Sequence, residues 1–526
     1  MAQEKDADII IIGSGIGGCA AALAAAQMGK KVIITEETDW IGGQLTSQAV
    51  PPDEHKWIEY FGCTTTYRKF RNRVREYYRR HYPLTEAARK DEVFNPGNAW
   101  VSRIAHEPRV ALAVLYDMLA PYISNAQITI MLNYCLTRAE VEGDTVKSVH
   151  VQNQKNKEIF ILSGKYFLDA TECGDMLPMT GTEYVTGAEA KSETGEPHAL
   201  DGAPIPLDMQ SITHCFIVDY IEGGNFTIEK PKQYDFWKNY HADFMSHKLL
   251  SWYGVDGVTG QSKKFGMFPG KHISLWDYRR IIDRNHFQPN RYEGDISIIN
   301  WPQNDYWLGP IIDVSHEEKI KHLEGAKQLS LSLLYWLQTE APRDDGGIGY
   351  PGLRLRKDMV GTEDGLAMHP YIRESRRIKA EFTVLEQHIS VESRGDKGIT
   401  IFPDSIGVGW YYIDLHPTVV TNTTCYVPSY PFQIPLGSLI PIRMNNLLPA
   451  CKNIGATHLT NGCFRLHPVE WNIGESAGYL AAYSIEKGIL PRDVRNNEEL
   501  LSEFQQLLVR QGIELDWPRI DGANVK

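Results

Sequence analysis

The chain is poor in the features that mark several classes of protein. It has eight cysteines in 526 residues, at 19, 63, 135, 173, 215, 425, 451 and 463. None forms a CxxC pair and none has zinc-ligand spacing, which argues against a structural metal and against a disulfide framework. No metal site is expected. A reduced, cytoplasmic setting fits this cysteine usage best. There is no long basic block, and the net charge is −12, so nucleic acid is a poor partner. No apolar run is long enough to span a bilayer, and none resembles a signal peptide ahead of the first strand. Repeats and low-complexity segments are also missing.

What is present begins at the N-terminus. Asp8-Ile9-Ile10-Ile11-Ile12 runs into Gly13-Ser14-Gly15-Ile16-Gly17-Gly18, an Ala-rich stretch follows to Gly29, and Lys31-Val32-Ile33-Ile34-Thr35 leads to Glu36. This is the order of a dinucleotide-binding βαβ unit. Gly13 permits the tight turn, Gly15 lets the backbone approach a pyrophosphate, and Gly18 lets the helix sit close to the strand. The helix start offers free N–H groups and a positive dipole end to phosphate. Glu36 lies 23 positions after Gly13, where a carboxylate accepts from ribose hydroxyls and repels a 2′-phosphate. Nucleotide contacts are therefore expected from Gly13, Gly15, Ile16, Gly17, Gly18, Glu36 and Glu37.

At 526 residues the chain exceeds one hydrophobic core. The pattern predicts an α/β protein: a Rossmann-type domain of parallel sheet plus β-meander, with an inserted α+β substrate domain. Helices are expected over 65–81, 107–121 and from Pro468 to Glu486. Short strands are expected from Ile128 to Leu168, ending in Asp169-Ala170-Thr171, and at 446–450. The basic stretch Arg68 to Arg80 reads as an amphipathic helix with a solvated face. The middle, about 180–400, is rich in Trp, Tyr, His, Asn and Pro, as suits a pocket with a few placed polar groups or an aromatic core with bonded tips. The division expected is 1–180 and 400–495 for the nucleotide domain, 181–399 for the substrate or cap domain, and 496–526 for a terminal helix and a fraying polar tail.

The segments Trp40-Ile41-Gly42-Gly43-Gln44, Asp169-Ala170-Thr171-Glu172-Cys173-Gly174-Asp175, Asn300-Trp301-Pro302, Tyr371-Ile372-Arg373-Glu374-Ser375-Arg376-Arg377, Asp414-Leu415-His416, Asn453-Ile454-Gly455-Ala456-Thr457-His458 and Gly474-Glu475-Ser476-Ala477-Gly478 carry a resemblance. Together they resemble a bacterial group of FAD-dependent oxidoreductases in the glutathione-reductase-like superfamily, over about 8–490. The resemblance implies FAD. It implies that Gly43, Gln44 and Thr46 run beside the isoalloxazine, that Ala170, Gly174 and Asp175 belong to the cofactor frame, and that the helix start at His467, Pro468 and Val469 faces the flavin pyrimidine. A helix dipole there favours the negative charge of reduced flavin.

A flavin that removes hydride needs a base nearby. The candidates are His467 first, then His458 and His55, because imidazole accepts protons near neutral pH. Arg465, Arg279, Arg373 and Arg377 are candidate clamps for a substrate carboxylate, or else members of ion pairs with residues such as Asp305 and Glu374. The expected reaction is hydride removal from a small polar substrate at a C–N or C–O bond. Without a second nucleotide fingerprint, oxygen or a redox partner is the electron acceptor. Two alternatives stay open: a flavin monooxygenase, and a non-redox flavoprotein in which FAD isomerises, hydrates or only supports the fold. No Cys pair accompanies the Gly42-Gly43 loop, which argues against disulfide reduction.

Overall fold

The computed structural model describes residues 3–256, 259 and 261–518. At its centre lies the strand Ile9–Ile12, whose four isoleucines are each at most 2% exposed. A run of β-branched residues buried on both faces is what an inner parallel strand requires, and each such side chain contributes roughly 1.5–3 kcal/mol of burial. The strand pairs in parallel with Val32–Glu36 on one side and Tyr166–Asp169 on the other. Ile128–Leu132 and Leu447–Pro449 complete the five-stranded sheet at its two edges, also parallel. The C-terminal part of the chain thus enters the same sheet as the first βαβ unit.

The helix Ile16–Gln27 connects the first two strands. Its small residues let the helix His467–Lys487 lie backbone to backbone against it. A Cβ on Gly17 would meet the Ala450 carbonyl oxygen at 1.8 Å, and one on Gly474 would meet the Gly17 oxygen at 2.0 Å.

A second sheet interrupts the parallel one. Tyr134–Glu142, Thr145–Asn153 and Ile159–Ser163 form an antiparallel meander. Gln3–Asp6, which lies ahead of the strand read from the sequence, adds to it in parallel. Ile128–Leu132, expected beside the meander, is instead an edge strand of the parallel sheet.

In the middle of the chain an antiparallel sheet orders Arg280–Ile282, Ile296–Ile299, Phe216–Tyr220 and Leu353–Leu355. The helix His316–Thr339 accompanies it, started by a capping box between Ser315 and Glu318. Its Leu329, Leu333 and Trp336 share a core with Trp237 and Trp301. The architecture is therefore a Rossmann-type nucleotide-binding α/β body with a further α+β region.

Two expectations are corrected. On the helix Thr65–His81 the basic face is not wholly solvated: Arg71 and Arg75 are buried. Arg71 bonds Glu54 (2.8 Å) and Glu59 (2.6 Å), and Arg75 bonds Glu59 (2.7 Å), so paired carboxylates carry the charges inward. The tail does not fray directly after the helix Glu498–Arg510. Ile513 and Trp517 are buried, and Trp517 packs among His55, Trp57 and Phe61. Residues 519–526 lie outside the described residues.

Candidate functional site

The glycine turn opens into a cleft of about 430 Å³. Gly13, Gly15, Glu36, Glu37, Gly43, Ala170 and Asp175 line it, joined by Ser14, Gln48, Glu172, Lys319 and His369, which sequence reasoning did not single out as site residues. Gly13 has φ +92°, and a Cβ there would lie 2.4 Å from the Ala170 oxygen, so the turn admits no other residue. Ile16, Gly17 and Gly18 form the start of the helix beneath the turn.

Glu36 is nearly saturated from within. Its Oε2 accepts from Ser14 N (3.3 Å) and Oγ (2.6 Å), and its Oε1 from Thr38 N (2.9 Å) and Oγ1 (2.7 Å). Four bonds match the acceptor capacity of a carboxylate, although burial raises Glu36 above the ordinary carboxyl range. Glu36 thus braces the turn while lining the cleft, and a sugar hydroxyl reaching it would take the place of one of these donors. Glu37, half-exposed in the cleft, pairs with His369 at 3.0 Å. Burial opposes the charge on both groups, yet their mutual attraction brings Glu37 down to about 2 and lifts His369 to about 9.

Next to the turn stands a buried charge triad. Lys452 pairs with Glu172 and, at 3.4 Å, with Glu470. Desolvation works against the ammonium, but the two carboxylates outweigh it. Glu470 is raised by burial. Gln44 donates to Glu470 Oε1 (3.0 Å) and to the Arg465 carbonyl (3.1 Å), while its own Oε1 is buried without a partner. Gln48 is buried with both amide atoms unpartnered, and it faces the cleft. Buried amides need partners. The Gln48 amide suits the edge of an isoalloxazine, and the glycine cradle suits a pyrophosphate, so the residues present fit FAD.

Other residues expected at the cofactor are engaged within the chain. Thr46 Oγ1 donates to Ile41 O at 2.6 Å and braces its own turn. Gly174 takes φ +66° in the loop before Asp175, whose carboxylate pairs with Arg376 at 3.0 Å. Pro468 and Val469 are buried in the first turn of their helix and do not line the cleft.

The histidines are redistributed. His467 is fully buried; its Nδ1 accepts from Asp53 N and its Nε2 donates to Val50 O, both at 3.1 Å. Both ring nitrogens are thus spent, and burial pushes the imidazole down to about 4. The expectation of a base at His467 is corrected on that ground. His55 donates to Gly62 O (2.9 Å) within the tryptophan cluster and is likewise pushed down to about 4 by burial. His458 starts a helix and bonds Glu374 at 2.9 Å, which itself pairs with Arg377. The guanidiniums are also engaged. Arg279 pairs with Asp53 (3.0 Å), Arg373 with Asp305 (2.9 Å) and Arg465 with Asp414 (3.5 Å), and Arg465 also donates to the Tyr371 hydroxyl (2.6 Å). None is an open carboxylate clamp.

No curated protein matches the chain. The family model described as FAD dependent oxidoreductase matches residues 8–508. The chain belongs to this family. Its cofactor is FAD, and it is an FAD-dependent oxidoreductase. Among solved structures it is similar to an L-proline dehydrogenase from P. horikoshii, at 16% identity over 36% of this chain and 24% of that one, with a TM-score of 0.19. It is also similar to a geranylgeranyl bacteriochlorophyll reductase-like protein from Thermoplasma acidophilum (11% identity, 97% and 85% covered, TM-score 0.31). A third is an anhydrotetracycline hydroxylase from Streptomyces rimosus (11% identity, 97% and 68% covered, TM-score 0.33). The chain spans about a quarter of the proline dehydrogenase chain. No helix among the described residues is long and apolar enough to cross a membrane.

The oxidoreductase has a second cavity, of about 170 Å³, between its middle region and the segment after Asp414. Phe244, Leu249, Val255, Trp307 and Tyr426 supply apolar walls, while Asp305, Asp414 and His416 supply a polar side. His416 Nδ1 lies 2.6 Å from Asp305 Oδ2. Burial works to raise the Asp305 carboxyl, but Arg373, His416 and Thr213 bring it down to about 2. An ionised, fixed carboxylate therefore orients the imidazole. Contacts link a wall of this cavity to a wall of the cofactor cleft: Asp414 pairs with Arg465, and the Arg465 carbonyl accepts from Gln44, the neighbour of Gly43.

Proposed function

We propose that this oxidoreductase removes a hydride from a small polar substrate, converting a C–O or C–N single bond to the double bond, with His416 as the proton acceptor. The observation that carries this reading is the Asp305–His416 pair facing the second cavity. Asp305 accepts from Nδ1–H, which leaves Nε2, 3.7 Å from the Asp414 carboxylate, as the ring atom able to accept a substrate proton. FAD, when bound, supplies the hydride acceptor. Gly13, Gly15 and the helix start would hold its pyrophosphate, and Gln48, with Gln44 behind it, its ring edge. Walls such as Trp307 and Leu249 keep water away and strengthen the electrostatics of the site.

In this reading residues 1–180 and 400–495 make the FAD domain and 181–399 the substrate domain. The entry of Leu447–Pro449 into the first sheet supports that division. The motifs quoted above support membership of the glutathione-reductase-like superfamily. Oxygen or a redox partner takes the electrons.

The test is an anaerobic titration of the yellow holoenzyme with alcohols, sugars, amines, amino acids and hydroxy acids. Bleaching of the flavin band by one donor class, slowed in His416→Asn at unchanged FAD content, is the expected result. Equal bleaching in both proteins removes His416 from the reaction.

A further inference from the structure

The helix His316–Thr339 belongs to the middle region, yet its start borders the cofactor cleft. His316 and Lys319 both line that cleft. They stand three positions apart, and so on one face of the helix. Lys319 thus brings a charged group to the cleft from outside the βαβ unit. Cys173, Asp175 and Glu37 favour its ammonium from a distance, against burial and Arg376, and hold it above the ordinary lysine range. Among the described residues no carboxylate pairs with it directly.

The carboxylates that line the cleft are all engaged by other groups. Glu36 accepts from Ser14 and Thr38, and Glu37 pairs with His369 at 3.0 Å. Glu172 pairs with Lys452, and Asp175 with Arg376 at 3.0 Å. Lys319 is thereby left, among the described residues, as a full positive charge without a hydrogen-bond or ion-pair partner. FAD brings a negatively charged pyrophosphate to this cleft. The glycine turn and the helix start meet it with N–H groups and a dipole equivalent to only about half a charge. A lysine ammonium is the point charge that phosphate sites use to supply the rest. We infer that Lys319 is the counter-charge of the FAD pyrophosphate, so that the cofactor is held between the glycine turn and a side chain of the middle region.

This inference rests on the reading of the glycine-turn cleft as the FAD site. It separates the parts of the cofactor. Removing the ammonium costs affinity for any ligand that carries the pyrophosphate and spares one that carries only the adenosine. Because the contact is ionic and lies in a cleft open to solvent, salt weakens it.

The test begins from the holoenzyme. Its dilution, followed by the rise in flavin fluorescence, gives the dissociation constant of FAD, and displacement of the bound FAD by ADP and by adenosine gives theirs. Lys319→Gln should weaken FAD and ADP roughly ten- to a hundredfold, the worth of a charge-assisted hydrogen bond, and leave adenosine close to its wild-type affinity. Lys319→Arg should restore most of the loss, and the gap between wild type and Lys319→Gln should narrow as salt is added. FAD and ADP held as tightly by Lys319→Gln as by wild type, or adenosine weakened as much as ADP, overturns the inference. Gly15→Glu, which sets a carboxylate against the pyrophosphate, tells the two readings apart. FAD lost from Gly15→Glu but kept at wild-type affinity by Lys319→Gln leaves the cleft as the FAD site and overturns the role of Lys319. FAD held at wild-type affinity by both variants overturns both.

Discussion

The Asp305 carboxylate lies 2.6 Å from His416 Nδ1, although 111 residues separate them in the chain. Arg373 and Thr213 hold the same carboxylate from its other side, at 2.9 and 2.5 Å. The imidazole is therefore aimed by a rigid, charged anchor. Asp305→Asn should leave FAD bound and slow flavin reduction, because the amide no longer fixes the tautomer. Restoration of a large part of the rate by Asp305→Glu marks Asp305 as a positioning residue. Equal losses in Asn and Glu variants, with lowered thermal stability in both, mark a packing role.

His467→Ala should act on stability. The substitution strips partners from Asp53 N and Val50 O, each left buried at a cost of about 1–3 kcal/mol. Thermal unfolding should move down, while the anaerobic reduction rate per bound flavin stays within a few-fold of wild type.

Gly17→Ala should prevent folding or FAD retention, since its methyl would lie 1.8 Å from the Ala450 oxygen. Gly29→Asn is the contrast. Gly29 also has a positive φ, +73°, but no atom lies within 4 Å of its Cβ position, so the expected change is at most about 1 kcal/mol. Soluble yield and flavin content read the first, and thermal denaturation the second.

Glu475 sets a pH dependence of stability. It is fully buried in the helix His467–Lys487, accepts from Thr66 Oγ1 (2.5 Å) and Trp471 Nε1 (3.2 Å), and is pushed up to about 7 by burial. The folded protein holds this proton between the ordinary carboxyl range and about pH 7, whereas the unfolded chain does not. Stability falls as pH rises through that window and then levels, by up to about 3 kcal/mol for this group. Glu475→Gln should flatten that part of the profile and gain on wild type at pH 8. Parallel profiles for the two proteins would contradict this.

The parts of the fold carried by local pattern were legible. Four isoleucines, a glycine turn and an alanine helix announce the βαβ unit because each part has a short-range cause. Likewise, the helices over 65–81 and from Pro468 follow from periodicity and capping. The site was legible only where it coincides with that unit. His467 was misjudged because its place at a helix start does not reveal that Val50 and Asp53 take both ring nitrogens. His416 was passed over because its meaning comes from Asp305, which the fold brings to it. Arg71 and Arg75 looked solvated because nothing local shows that Glu54 and Glu59 wait inside.

The most direct measurement is anaerobic stopped-flow reduction of the bound flavin in wild type and His416→Asn. Equal FAD content is expected in the two proteins. The expected rate in the variant is lower by roughly 10²–10⁴-fold. A protein that binds no FAD, or a variant that reduces its flavin at the wild-type rate, would contradict the assignment of His416 as proton acceptor.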